Sequence, residues 1–259
     1  MIITLYQIDA FTNHIFGGNP AAVCPLDEWI DDNLMQKIAE ENNLSETAFF
    51  VKRDRSYEIR WFTPAVEIKL AGHPTLAAAY VIFNYCNHGS STIYFSSKSG
   101  ELIVEKNGDL LKMNFPALKA IRAAANDLLN RSLGLAPIEL YLSRDYLAVY
   151  KSQKDIMSID PDFGLLKKLD CLGVIVTAPG DESDFVSRCF APAVGINEDP
   201  VTGSAHSTLI PYWAKRLNKD TLHAYQLSQR GGELFCKNLG RRVEIGGKAV
   251  PYLSGKIVI

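Results

Sequence analysis

Several patterns are missing from this 259-residue chain. No apolar run approaches 18 residues, so no membrane-spanning helix is expected. The opening stretch MIITLYQIDAF has neither a cationic start nor a long apolar segment, so it reads as a strand and not as a signal peptide. Cysteine is sparse. Cys24, Cys86, Cys171, Cys189 and Cys236 are odd in number and lack CxxC or metal-ligand spacing, which points to reduced thiols in a cytoplasmic protein. The histidines (His14, His73, His88, His206 and His223) form no HExxH-like cluster, so a protein-built zinc site is not expected. Neither sign of charge is in excess: Lys plus Arg is 27, Asp plus Glu is 29, and the net charge is −2, which argues against a nucleic-acid partner. Gly17-Gly18 does not open a GxGxxG helix, and no flavin, nicotinamide, metal or pyridoxal site is indicated.

What is present is an ordinary globular composition, 47% hydrophobic and 22% charged. The first half reads as strands broken by two helices. One helix covers about 33–41, capped by Asp31 or Asp32, with Leu34 and Ile38 on one face. The other follows Gly72-His73 as PTLAAAYVIFNYC, apolar almost all round, the pattern of a helix buried inside a domain. Asn107-Gly108-Asp109 predicts a hairpin. Residues 117–135 read as a helical connection, because Ala and Leu recur at helical spacing. Strands, a short helix near 163–169, a helix after Gly203 and three or four further strands complete the chain.

The second half repeats the first. Phe62-Thr63-Pro64-Ala65-Val66-Glu67-Ile68 matches Phe190-Ala191-Pro192-Ala193-Val194-Gly195-Ile196 at five of seven positions, at an offset of 128, and Arg60 matches Arg188 at the same offset. Gly72 and Gly203 are further apart than that by three, so the second copy carries about three extra residues. At this offset Glu46 falls opposite Val174, and Asp199 falls inside the extension. The expected fold is therefore α+β: two pseudo-symmetric lobes, each a rolled, mostly antiparallel sheet around a central apolar helix. Residues 1–116 form the first lobe, with a strand near 251–259 free to return to it, and 117–259 form the second.

Polar groups collect where the core pattern stops. Asn43-Leu44-Ser45-Glu46-Thr47 and Gly72-His73-Pro74 lie in the first lobe; Glu198-Asp199-Pro200 and Thr202-Gly203-Ser204 lie in the second. Each Gly leads into a helix N-terminus, whose outward N–H groups favour a carboxylate. Ordinary helix capping by Ser204 or Thr202 explains either segment alone. Together they offer Glu46 and His73 from one lobe and Asp199 and Ser204 from the other, a set suited to moving a proton between carbons at a cleft between the lobes.

IDAFTNHIFGGNPAAV, NLSETAFF, FTPAVE with GHPTLAAA, EDPVTGSA and QLSQRGGEL, in this order, resemble the PhzF family of phenazine-biosynthesis isomerase-like proteins across residues 8 to about 235. The resemblance implies a diaminopimelate epimerase-like fold. It implies that Glu46 shuttles a proton during isomerisation of a small carboxylated substrate, without a cofactor. It implies that His73, Asp199 and Ser204 hold and polarise that substrate, that Gly72 and Gly203 present backbone N–H groups, and that Asn19 lines the same cleft. A homodimer is implied as well. The related epimerases use two cysteines just before these glycines; here Ala71 and Thr202 stand there, which rules out a two-cysteine mechanism. The rival readings are a non-catalytic member that binds a metabolite or protein, and an epimerase or dehydratase acting on a hydroxy or amino acid.

Overall fold

A computed structural model describes all residues, Met1–Ile259. The chain forms two compact units, Met1–Asn114 with Gly246–Ile259, and Phe115–Ile245.

The first unit contains β1 (Ile2–Ala10), β2 (Asn19–Leu26), α1 (Asp32–Asn42), β3 (Glu46–Arg53), β4 (Ser56–Phe62), β5 (Glu67–Ile68), α2 (His73–Tyr85), β6 (Thr92–Ser97), β7 (Gly100–Asn107) and β8 (Leu110–Pro116), whose last two residues belong to the second unit. Most neighbouring strands are antiparallel; β2 with β3 and β4 with β6 are parallel. Helix α2 packs against β1, β2 and β3. Its buried residues, among them Leu76, Val81 and Ile82, face every direction, which is why its sequence shows no polar stripe. Asp31 caps α1, its Oδ1 accepting from the N–H groups of Asn33 and Leu34 at 3.0 and 3.3 Å.

The second unit contains β9 (Ile121–Arg122), α3 (Asp127–Leu133), β10 (Glu139–Leu142), β11 (Tyr146–Val149), α4 (Gln153–Ser158), α5 (Phe163–Leu166), β12 (Val174–Ala178), β13 (Phe185–Ala191), β14 (Ile196–Asp199), α6 (Gly203–Leu217), β15 (Thr221–Gln226), β16 (Gly232–Asn238) and most of β17 (Arg242–Gly247). The parallel pairs are β11 with β12 and β13 with β15, the counterparts of those in the first unit. Strand β18 (Ala249–Val258) belongs to the first unit, pairing antiparallel with β1.

Residues 117–135 are not one helical connection. Only Asp127–Leu133 is helical, and the residues before it spend their backbone donors elsewhere. Pro211 sits inside α6 and lacks the N–H that would bond the Ser207 carbonyl; Leu118 supplies that donor instead, at 2.9 Å. The Ala117 N–H bonds the Arg241 carbonyl and the Ala123 N–H bonds the Leu140 carbonyl. The Ala-Leu spacing was outweighed by acceptors that needed partners.

Strand pairing also corrects the internal alignment. Thr47 faces Phe62 and Val174 faces Phe190, so the counterpart of Glu46 is Gly173, not Val174. Trp61 faces Ile68 and Cys189 faces Asp199, so Asp199 is the counterpart of Ile68, and the extra residues lie in the turn before Glu198. Both copies carry the same bidentate pair. Arg60 donates from Nε and Nη2 to Glu67 at 2.8 and 2.9 Å, and Arg188 donates from the same atoms to Glu198 at 2.7 and 3.0 Å. Each guanidinium also lies over the aromatic ring two residues on, Phe62 at 5.3 Å and Phe190 at 4.9 Å.

Candidate active site

In the first unit three element starts converge. Asn19 opens β2, Glu46 opens β3 beside Ala21 in the parallel ladder, and His73 opens α2. All three side chains are buried. Gly18 makes the entry possible: its φ is +61°, and a Cβ there would strike the Ala10 carbonyl, so only glycine delivers Asn19 to this position.

His73 Nε2 lies 3.1 Å from Glu46 Oε2. Nδ1 lies 3.2 Å from Asn19 Nδ2, and the Pro20 carbonyl also accepts from the ring. Burial pushes the imidazole down to about 3, so it is neutral at physiological pH. A neutral imidazole matters for its neighbour. A fixed cation at this distance would lock Glu46 as a carboxylate and weaken it as a base. The neutral ring places no fixed cation beside Glu46.

In the second unit, Asp199 ends β14, and its Oδ2 accepts from Thr202 Oγ1 at 2.6 Å. Gln226, at the end of β15 and fully buried, ties this corner together. Its Oε1 accepts from the Thr202 N–H at 2.8 Å, and its Nε2 donates to the Asp199 carbonyl at 2.7 Å. Thr202 makes no side-chain cap on α6, and Gly203 and Ser204 begin that helix. Ser204 Oγ accepts from Arg144 Nη2 at 3.2 Å, and Arg144 grips the buried Asp145 from Nε and Nη2 at 3.0 and 2.7 Å.

The expected residues thus fall into two groups: Asn19, Glu46, Gly72 and His73 in one unit, Asp199, Gly203 and Ser204 in the other. Three were missed by sequence reasoning. Gln226 is the first letter of QLSQRGGEL, so a signal existed. Arg144 and Asp145 lie in a strand-to-strand turn that offers none. The positions before the two glycines hold Ala71 and Thr202. Cys189 is buried, and burial pushes its thiol well above the usual range, so it carries no thiolate at neutral pH. No group of three or more His, Cys, Asp or Glu side chains stands where it could hold a metal ion.

His206, inside α6, is a second buried imidazole. Nδ1 bonds the Thr202 carbonyl at 2.9 Å, Nε2 has no partner, and burial pushes it down to about 4. Both imidazoles bind protons more weakly folded than unfolded, where a histidine titrates near ~6.5. Their stabilising contribution is therefore complete above that pH and drains away as pH falls toward 4 and then 3. His206→Leu should flatten this loss by about one proton. The check is the urea midpoint at pH 7 against pH 5; an unchanged difference between wild type and variant would show that His206 does not contribute.

The chain matches the sequence profile of the family described as phenazine biosynthesis-like protein over residues 8–255. It is 52% identical to an uncharacterised isomerase of Pseudomonas aeruginosa, with 99% of both chains covered. A crystal structure of a PhzF-family protein from Enterococcus faecalis superposes with a TM-score of 0.98 at 50% identity, covering 100% of both chains. A hydroxyproline epimerase from Agrobacterium vitis shares the fold alone, with a TM-score of 0.64 at 10% identity, covering 99% of this chain and 92% of that one. The fold is thus the epimerase-like one, and the chain belongs to the phenazine biosynthesis-like (PhzC-PhzF) family as a PhzF-like isomerase.

Proposed function

We propose that the protein moves a proton within a small carboxylated molecule, without a cofactor, using Glu46 as the single acid/base. The carboxylate removes a proton from a carbon activated by conjugation, and the electron pair left behind shifts along the conjugated system. The same carboxyl group returns the proton at another carbon, so Glu46 ends as it began. His73, oriented by Asn19, stays neutral and hydrogen-bonds the developing charge. Asp199 and Ser204 hold substrate, and the backbone N–H groups at Gly72 and Gly203 receive negative charge. The family resemblance adds a homodimer to this reading, and the unpaired cysteines favour the cytoplasm.

The supporting observation is the buried carboxylate of Glu46, 3.1 Å from an imidazole that burial keeps uncharged. The test is incubation with a panel of unsaturated cyclic and aliphatic carboxylic acids in heavy water, followed by mass and proton spectra of the recovered acids. A product with a shifted double bond and deuterium on carbon is the expected result. A product inverted at one centre with its bonds unchanged would identify an epimerase, and loss of water would identify a dehydratase. Binding without any exchange would identify a non-catalytic protein.

A further inference from the structure

The internal repeat places a different chemistry at the second unit's counterpart of the Glu46–His73 pair. Asp199 is the counterpart of Ile68, and five residues further on in each unit His73 aligns with Ser204. Ladder pairing aligns Ala21 with Asp145 and Pro20 with Arg144, because Ala22 faces Thr47 as Tyr146 faces Val174. In the first unit the Pro20 carbonyl bonds His73. In the second unit its counterpart, Arg144, bonds the counterpart of His73, Ser204, through a guanidinium at 3.2 Å.

The acid is replaced as well. The counterpart of Glu46 is Gly173, which brings no carboxylate. A Cβ at Gly173 would lie 3.5 Å from Asp145 Oδ1, so the Asp145 carboxylate lies beside the track a side chain there would take. Asp145 is 3% exposed, and its Oδ2 receives two donors from Arg144. A buried carboxylate held this way is spent on fixing the guanidinium and is not available as a base. Arg144 Nε and Nη2 are thereby committed, Nη1 has no partner, and the side chain is 41% exposed. The first unit presents a proton carrier at the start of its central helix. The second presents a fixed cation and a hydroxyl.

We propose that Arg144 binds the anionic group of the substrate together with Ser204, and that Asp145 is the positioning residue that aims it. This rests on the isomerase reading above, in which Ser204 holds substrate. A planar guanidinium with a free N–H beside a hydroxyl suits a carboxylate better than a neutral carbonyl, and one of its edges is already fixed. Asp199 Oδ2 accepts from Thr202 Oγ1, and Asp145 Oδ2 accepts from Arg144, so each of these carboxylates is already paired with a donor of its own unit.

The experiment measures binding of benzoate, cyclohexanecarboxylate and the uncharged benzamide to wild-type protein, Arg144→Gln, Arg144→Lys, Asp145→Asn and Glu46→Gln, by ligand-observed NMR. Arg144→Gln should weaken both carboxylates about tenfold or more and leave benzamide unchanged. Arg144→Lys should fall between, because it keeps the charge and loses the fork. Asp145→Asn should weaken carboxylates less than Arg144→Gln; Arg144→Gln should melt below wild type because the buried Asp145 loses its cation, so binding is compared at a temperature where thermal melts show every variant folded. Equal benzoate affinity in wild type and Arg144→Gln, or no carboxylate binding by wild type at millimolar concentration, overturns the assignment. The isomerase reading fails separately. If Glu46→Gln still exchanges deuterium while Arg144→Gln has lost benzoate, Arg144 stands as an anion-binding residue and Glu46 is not the acid/base.

Discussion

Glu46→Gln should fold normally, keep most of its affinity for carboxylic acids, and lose about 10²–10⁴-fold in turnover. Glutamine fills the same volume and still meets the imidazole of His73, so the buried corner formed with Asn19 is preserved. What it lacks is an exchangeable proton on an atom that can both give it and take it back. Deuterium incorporation should therefore fall together with isomerisation, while the ligand titration barely moves. Glu46→Asp separates position from chemistry. It keeps the acid but withdraws it by about the length of one bond, and a misplacement near 1 Å is enough to cost about 10²-fold. The expected order is wild type, then Asp, then Gln. A Gln variant that exchanges deuterium at the wild-type rate would remove Glu46 from the reaction. An Asp variant as slow as Gln would show that the 3.1 Å approach to His73, and not the acid alone, is required.

Much of this was legible in the letters, and the failures have physical causes. The apolar helix after Gly72 could be read directly, because a helix without a polar stripe has to be buried. The repeat was legible through Arg60 and Arg188, and the structure shows why both arginines are there: each makes the same fork on a glutamate. The alignment slipped because identical letters adopt different turns. Pro64-Ala65-Val66 sits in a tight turn closed by the Thr63 N–H on the Val66 carbonyl at 2.9 Å. Pro192-Ala193-Val194 instead winds one 3₁₀ turn ended by Gly195 at φ +90°. Local residue identity outweighed the strand partners, which lie outside any short window, and so Asp199 was placed in an insertion. Glu46, His73, Asp199 and Ser204 could be proposed from the letters because each lies in a motif. Arg144 and Asp145 could not, because their meaning comes from the ladder between β11 and β12 and from the start of α6, which are far apart in sequence.

The two arginine forks should differ sharply in what they contribute, although their geometry matches. Arg188→Ala should destabilise the second unit by about 3 kcal/mol, near the low end for breaking a buried pair. Its side chain is 13% exposed, and Glu198, at 22%, has no other cation. Arg188 Nη1 also donates to the carbonyls of Ile156 and Ile159 at 3.1 and 2.7 Å, at the end of α4, so its removal orphans three acceptors at once and strips the cation from the Phe190 ring. Arg60→Ala should cost less, about 1–2 kcal/mol, although Arg60 and Glu67 are as buried (15% and 19% exposed), because the charge of Glu67 stays compensated. Glu67 keeps Lys98 Nζ at 2.5 Å, and the other partner, Asp32, is 70% exposed and returns to water. The Arg60 guanidinium holds the Glu67 and Asp32 carboxyls below their usual range, so the Arg60→Ala effect should shrink as pH falls and those groups are protonated. Urea midpoints at neutral pH measure the totals, and amide exchange localises the Arg188 loss to β12 and β13. Because Glu198 directly precedes Asp199, Arg188→Ala should also reduce turnover, whereas Arg60→Ala should leave it unchanged. Replacing the pair by Arg188→Met with Glu198→Leu should recover only the part of the loss due to the stranded Glu198 charge, because the Ile156 and Ile159 carbonyls remain without their donor. If the two alanine variants lose the same stability, the carbonyl contacts at Ile156 and Ile159 carry no weight, and the forks are interchangeable parts of the repeat.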